Sequence, residues 1–373
     1  MASTSETRIA MRDGYYNENC FIQNAAVKGA LDILPAYPDK KSLTIVDYGC
    51  AQGANSTEPL KAVLASLPAG ATASLVFEDT PFNDFSTLAK TISASLPTLA
   101  PAERNITAHA SMVPVGFFQQ VVPTASVDLG VSWSSFNYLS HQPTVALPAT
   151  AAPAEFAAAR QAAFASAAHA DLVHLLQLRA AEIRSGGHLV VALGGTAPEG
   201  DGETDMPPST TGFMPLQTAL MRMVGGGQLA LGELMQFALF PSHERSPGEA
   251  RAALADPAVA ALWRVDSLQP RLVVHPAWEP YQAALGRAEA GQDEAGRKEA
   301  VRAYAEAVVV NLVAASGWFW ADTLRKCRGP EWHGENAFLE EFTRVAIDEC
   351  VEKFADMKVQ IWYTYIRLER RGA

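Results

Sequence analysis

Asp47 closes an apolar run, Ser42-Leu43-Thr44-Ile45-Val46-Asp47-Tyr48, and Gly49-Cys50-Ala51-Gln52-Gly53-Ala54-Asn55-Ser56 follows it. A strand that ends on an acid and runs into glycines makes a tight turn whose backbone a ligand can approach closely. An acid at that point suits a ligand bearing an amino group. A second strand over 73–78 leads into Glu78-Asp79-Thr80, where a carboxylate can accept both hydroxyls of an adenosine ribose. Asn83 and Asp84 come next, and both types favour helix N-caps. Asp79 is therefore assigned to the ligand and Asn83 or Asp84 to the cap. The turn lacks the third glycine of Gly-x-Gly-x-x-Gly that a dinucleotide pyrophosphate needs. Two acids on adjacent strand tips beside a glycine turn favour S-adenosylmethionine over NAD.

A further polar group stands out elsewhere in the chain. Gln23 shares a helical face with Ala26, Val27, Ala30, Leu31 and Leu34, so an amide heads an apolar stripe.

These residues need a scaffold, and the patterning supplies one. Strands are expected at 42–48, 73–78, 127–132 and 188–193, with helical stretches between them, notably an Ala-rich one at 155–184. Strands alternating with helices imply a doubly wound, mostly parallel α/β sheet. Residues 194–212 are rich in Gly, Pro, Asp and Thr and read as a long loop. Residues 213–330 read as mainly helical. Their best helix, near 297–315, carries Val301, Tyr304, Ala305, Val308, Val309 and Leu312 on one face. Residues 357–366 alternate as a returning strand. The expected organisation is a core over 1–212, a helical cap over 213–330 and a return to the core over 331–373.

Composition narrows the function. The chain has 373 residues, 49% hydrophobic and 18% charged, which excludes a disordered or fibrous protein. Lys and Arg number 29 against 40 Asp and Glu, a net charge of −11, so neither nucleic acid nor an anionic membrane is an expected partner. The first residues are polar and lack the apolar core of a signal peptide. The most apolar stretch, 305–320, falls short of the roughly 20 residues of a membrane span. Four cysteines without Cys-x-x-Cys spacing and scattered histidines without His-Glu-x-x-His suggest reduced thiols, a cytoplasmic location and no metal.

Five ordered motifs carry a resemblance. Asp47-Tyr48-Gly49-Cys50-Ala51-Gln52-Gly53-Ala54-Asn55-Ser56 resembles the Asp-Leu-Gly-Cys-Ser-Ser-Gly-x-Asn-Thr motif of the SABATH methyltransferases, the salicylate, benzoate and theobromine family. Glu78-Asp79-Thr80-Pro81-Phe82-Asn83-Asp84-Phe85 resembles their Asn-Asp-Leu-Pro-x-Asn-Asp-Phe. Val113-Pro114-Val115-Gly116-Phe117-Phe118 is similar to Val-Pro-Gly-Ser-Phe-Tyr. Residues 132–140 match Ser-Ser-Tyr-Ser-Leu-His-Trp-Leu-Ser in register, and 179–187 match Arg-x-x-Glu-Leu-x-x-Gly-Gly. The N-terminal Tyr15-Tyr16-Asn17-Glu18-Asn19-Cys20-Phe21-Ile22-Gln23 resembles Ser-Tyr-Ala-x-Asn-Ser-x-x-Gln, a segment that closes over both ligands.

The resemblance implies a Rossmann-like S-adenosylmethionine-dependent core with a helical cap, and a homodimer. It implies cofactor contacts from Tyr16, Cys20, Asp47, Gly49, Asn55, Asp79, Thr80, Gly116 and Phe117. Cys20 stands where the family has Ser and is a weaker hydrogen-bonding group. For the substrate it implies Gln23 on the carboxylate, with Tyr138 in place of the family's indole donor and Trp133 as an alternative N–H. Phe213, His243, Val301 and Tyr304 match further pocket positions. The activity implied is esterification of a small, aromatic or planar mono- or dicarboxylic acid. N-methylation of a heterocycle, served by Tyr138 and His243, and a nicotinamide-dependent oxidoreductase are the competing readings.

Overall fold

The computed structural model describes residues 15–145, 152–198 and 213–372. Seven strands form one sheet: β1 (Ser42–Tyr48), β2 (Thr72–Asp79), β3 (Thr107–Pro114), β4 (Val127–Trp133), β5 (Ile183–Gly195), β6 (Trp263–Val274) and β7 (Gln360–Arg370). Their order is β3-β2-β1-β4-β5-β7-β6. The first five pair with one another in parallel. β7 inserts antiparallel between β5 and β6. The doubly wound, mostly parallel expectation therefore holds.

Side-chain alternation explains why this sheet is covered on both faces. Leu43 and Ile45 of β1 join Val27, Leu60, Val63, Leu88 and Ile92 in one core. Val46 and Tyr48 of the same strand join Leu172, Leu175, Leu176 and Leu189 in another. The helices Phe21–Lys28, Thr57–Leu64 and Phe85–Ser95 pack the first face, and the long helix Pro153–Glu182 packs the second. All seven residues of β4 are buried, as befits a central strand. A third core joins the helices Met214–Gly225, Trp278–Gly291, Glu294–Arg328 and Glu335–Lys353 into a cap.

Two strands escape the sequence pattern. β3 is mostly exposed or half-buried along its length, so no apolar run marks it. β6 lies within the stretch expected to be mainly helical. It is an edge strand, half-exposed and containing Pro270, which an edge tolerates because one side needs no N–H donors. The helix Glu294–Arg328 also exceeds expectation. It is long and apolar enough to cross a membrane by length and composition, yet 67% of that window is buried inside the protein. Of the expected loop at 194–212, Gly194 and Gly195 end β5; the part from 199 to 212 lies outside the described residues.

The topology sets where ligands can bind. From β1 the chain moves outward to β2 and β3, then returns to β4 on the other side of β1. The connections thus diverge at the carboxyl ends of β1 and β4, and a crevice opens there.

Candidate active site

The turn after β1 is built from left-handed backbone. Gly49 (φ 75°), Ala51 (φ 49°) and Gly53 (φ 85°) all have positive φ, a conformation that glycine adopts freely. At Gly49 no other residue fits, because a Cβ there would lie 2.3 Å from the Cβ of Ser135. The tip of β2 grips this turn. The Ala51 N–H donates to Asp79 Oδ2 at 2.7 Å, and Asn83 Nδ2 donates to the Ala51 carbonyl at 2.6 Å. The Gly49 N–H donates to Glu78 Oε2 at 3.1 Å. Asp84 is the residue that caps the following helix, accepting from the Thr87 N–H at 2.9 Å. The cap role expected of Asn83 or Asp84 thus falls to Asp84, while Asn83 holds the turn.

A cavity of about 150 Å³ opens beside this turn. Gly49, Ala51, Asp79, Thr80, Gly116 and Phe117 line one part of it. Tyr16, Gln23, Phe118, Trp133, Ser134, Tyr138, Ala315 and Tyr363 are among its other lining residues. No Lys, Arg or His is among the described lining residues, so Asp79 carries the formal charge of the wall. Burial pushes the Asp79 carboxyl up to about 6, against the lowering effect of its bonds to Ala51 and Thr80. Each oxygen already accepts one backbone N–H, Oδ2 from Ala51 and Oδ1 from Thr80 at 2.8 Å. A carboxylate has about four lone-pair sites, so capacity remains for a diol.

The donor set on the other side is neutral. Trp133 Nε1 is buried with no hydrogen-bond partner. Gln23 Oε1 accepts from Asn311 Nδ2 at 2.8 Å. Burial drives the Tyr138 phenol upward and pushes Tyr363 up to about 12, so both hydroxyls stay protonated donors at neutral pH.

The sequence model of the family described as SAM dependent carboxyl methyltransferase matches residues 13–316. The chain belongs to this family. Methyltransferase FUS9 of Gibberella fujikuroi is 28% identical to it over 367 residues, covering 96% of each chain. O-methyltransferase acrG of Aspergillus aculeatus is 29% identical over 377 residues, again 96% of each. The solved structure of a loganic acid methyltransferase with SAH has the same fold, with a TM-score of 0.67, 18% identity and 99% of both chains covered. The protein is accordingly an S-adenosylmethionine-dependent methyltransferase, and its general reaction is carboxyl O-methylation.

The methyltransferase's cavity fits this cofactor. The backbone at Gly116 leaves room for it: nothing lies nearer to a Cβ there than Thr80 Cγ2 at 3.9 Å. The half-buried Asp79 presents hydrogen-bond acceptors to the cavity, and Phe117 an aromatic wall. Six of the nine residues expected to hold the cofactor line the cavity: Tyr16, Gly49, Asp79, Thr80, Gly116 and Phe117.

The other three stand behind the wall. Asp47 is buried and accepts from the Ser56 hydroxyl, while its Oδ1 has no partner. Burial lifts its carboxyl to about 7, with the Asp79 charge adding to the effect and the Ser56 bond opposing it. Cys20 and Asn55 meet each other, Sγ to Oδ1 at 3.6 Å, and Asn24 Nδ2 also donates to Asn55 Oδ1 at 3.3 Å. They fasten the N-terminal segment to the glycine turn. Asn17 helps, donating to the Gln52 carbonyl at 3.0 Å and accepting from the Ala54 N–H at 3.3 Å.

On the substrate side Gln23, Tyr138 and Trp133 come together at the cavity; the four cap-side positions do not line it. Phe213 packs partly buried against the cap core. His243 Nε2 meets Glu249 Oε1 at 2.9 Å, and its backbone N–H donates to the Asn137 carbonyl at 3.0 Å. Val301 packs in the same cap core as Phe213. The Tyr304 ring stacks on Tyr281 at 4.6 Å, and its hydroxyl donates to the Met357 carbonyl at 2.9 Å. The apolar stripe holding Val301 and Tyr304 faces other helices of the cap. The cavity is reached instead from further along the same helix, at Ala315. Tyr363, Phe118 and Ser134 were not anticipated. Tyr363 arrives from β7, some 225 residues beyond Tyr138 in the chain, and its hydroxyl accepts from Ser134 Oγ at 3.3 Å.

Proposed function

We propose that the enzyme esterifies the carboxylate of a small, planar or aromatic monoacid, by in-line transfer of the methyl group from S-adenosylmethionine. The observation that carries this reading is the lining itself: neutral donors and aromatic walls, with an anionic Asp79 on the cofactor side. Phe117, Phe118, Trp133, Tyr138 and Tyr363 suit a flat ring, which stacks or packs edge-on against such faces. A second carboxylate would find no counter-charge among the described lining residues, so a diacid must direct its other group outward.

The chemistry needs little from the protein. A carboxylic acid with a pKa near 4 is an anion at neutral pH, so no general base has to remove a proton. The cofactor supplies an electrophilic methyl on a sulfonium, and a carboxylate oxygen forms the new C–O bond as the C–S bond breaks. Gln23, Tyr138 and Trp133 present N–H and O–H donors that pin one carboxylate oxygen, so that the other faces the methyl. Holding reactants about 3–3.5 Å apart in a dry site accounts for much of the barrier reduction. The His243 imidazole, which a heterocyclic base would want, is engaged by Glu249 away from the cavity, and so the ester reading leads.

The test is incubation with methyl-labelled cofactor and matched pairs of aromatic acids and their primary amides. Label recovered as methyl ester from acids, and absent from amides, is the expected result. Equal labelling of amides or heterocycles, or none of the acids, would overturn it.

A further inference from the structure

We infer that Asn311 is a positioning residue that sets which end of the Gln23 amide faces the substrate. The inference rests on the carboxylate reading above and adds to it a residue some 290 positions from the site's N-terminal segment.

Asn311 is an amide in apolar surroundings. It is 1% exposed in the middle of Glu294–Arg328, among the buried Val308, Val309, Leu312 and Val313. An amide is kept in such a place at a cost unless its hydrogen bonds are made. Two of them are made to consecutive residues of the N-terminal segment, and the His275 side chain also lies against Asn311. Asn311 Oδ1 accepts from the Ile22 N–H at 3.2 Å, and Asn311 Nδ2 donates to Gln23 Oε1 at 2.8 Å.

The first of these bonds has only one possible direction. Ile22 is the second residue of the helix Phe21–Lys28, and its N–H belongs to a helix's first turn, which has no acceptor within the helix. Cys20, at the N-cap, makes no side-chain capping bond. Asn311 therefore caps this helix from another element. A backbone N–H can only donate, so Asn311 must turn Oδ1 toward it and Nδ2 away. Nδ2 can only donate, so Gln23 must meet it with Oε1. What Gln23 has left for the cavity is Nε2, a donor, which is what a carboxylate requires. The four groups form a chain of donors running one way, from Ile22 through Asn311 and Gln23 to the anion, in which each bond polarises the next.

This direction can be reversed. In Asn311→Asp, assayed at a pH at which the new carboxyl is ionised, both side-chain oxygens accept. One still takes the Ile22 N–H, and the other draws Gln23 Nε2 to itself, which presents Oε1 to the substrate carboxylate. On an acid that the wild-type enzyme turns over, Asn311→Asp should lower kcat/KM at least tenfold, with the cofactor Kd within about twofold of wild type. The same substitution in a Gln23→Ala background should cost less than twofold more, because the group it acts through is gone. Asn311→Ala, which buries no new charge, should show the same dependence on Gln23 with a smaller loss of about three- to tenfold. Retained cofactor affinity confirms that each variant is folded.

Losses that multiply in the double variants would show that Asn311 acts on the fold and not through Gln23, and would overturn the inference while leaving the ester reading standing. No loss in either Asn311 variant, with Gln23→Ala impaired, would also overturn it. An unimpaired Gln23→Ala, or a wild-type enzyme that methylates no acid, would bring down the carboxylate clamp itself, and the relay with it.

Discussion

Asp79, at the tip of β2, accepts the backbone N–H of Ala51, in the turn after β1, at 2.7 Å. One carboxylate thus holds the glycine turn and lines the cavity beside it, so the shape of the turn and the wall of the cavity depend on the same side chain.

Asp79→Ala should therefore weaken S-adenosylmethionine by more than a ribose contact alone. Hydrogen bonds to a charged group contribute about 1.5–3 kcal/mol each, so losing a bidentate diol contact is worth roughly a hundredfold or more in Kd. The turn loosens as well, and stability falls by about 1–3 kcal/mol for the released Ala51 N–H. Calorimetry and thermal unfolding separate the two effects. A wild-type Kd in this variant would remove Asp79 from the site.

Cofactor affinity should also depend on pH. Burial lifts Asp79 to about 6 and Asp47 to about 7, above their unfolded values near 3.9. In that window the folded, empty protein holds more protons than the unfolded chain, so its stability falls as pH rises from about 4 to 7. A ribose diol and a cationic ligand both favour the ionised acids, so binding releases protons there. The Kd should rise as pH drops below about 6, approaching tenfold per unit. Titrations in buffers of different ionisation enthalpy report the proton release, and a Kd flat from pH 5 to 8 would contradict it.

Trp133→Phe and Tyr138→Phe each delete one donor while keeping most of a ring. Both should reduce kcat/KM on an acid roughly ten- to a hundredfold, as hydrogen bonds to charged groups do. Their effects on stability should differ. Trp133 Nε1 makes no hydrogen bond to another group of the protein, so Trp133→Phe breaks no bond within the fold and only the smaller ring lowers stability. Efficiency within twofold of wild type in both variants would mean that neither group touches the acid.

His243→Ala should do the opposite. The ring is buried, bonded to Glu249 and absent from the cavity wall. Its loss should lower stability by about 1–2 kcal/mol and leave kcat/KM within about twofold. A tenfold loss of efficiency with unchanged stability would return His243 to the substrate site.

Local patterns in the sequence carried the inner strands, the glycine turn and the strand-tip acids, because each depends on neighbours a few residues away. A buried parallel strand needs a continuous apolar run, and β1, β4 and β5 have one. A left-handed turn needs glycine, and Gly49 and Gly53 supply it. Motif order then pointed to Tyr16, Gln23, Asp79, Thr80, Gly116, Phe117 and Tyr138, all of which the fold brings to one cavity. What stayed hidden depends on residues distant in the chain. Edge strands such as β3 and β6 are half-exposed and bury too little to leave a pattern. Helical periodicity showed that Val301 and Tyr304 are apolar-facing, but a helix has several neighbours, and only packing decided that this stripe meets other helices while Ala315 meets the cavity. Asn311 broke the apolar run without announcing a partner, since Ile22 and Gln23 lie nearly 290 residues earlier. A hydrogen bond has no sequence period; only the tertiary structure could say which donor faces which acceptor.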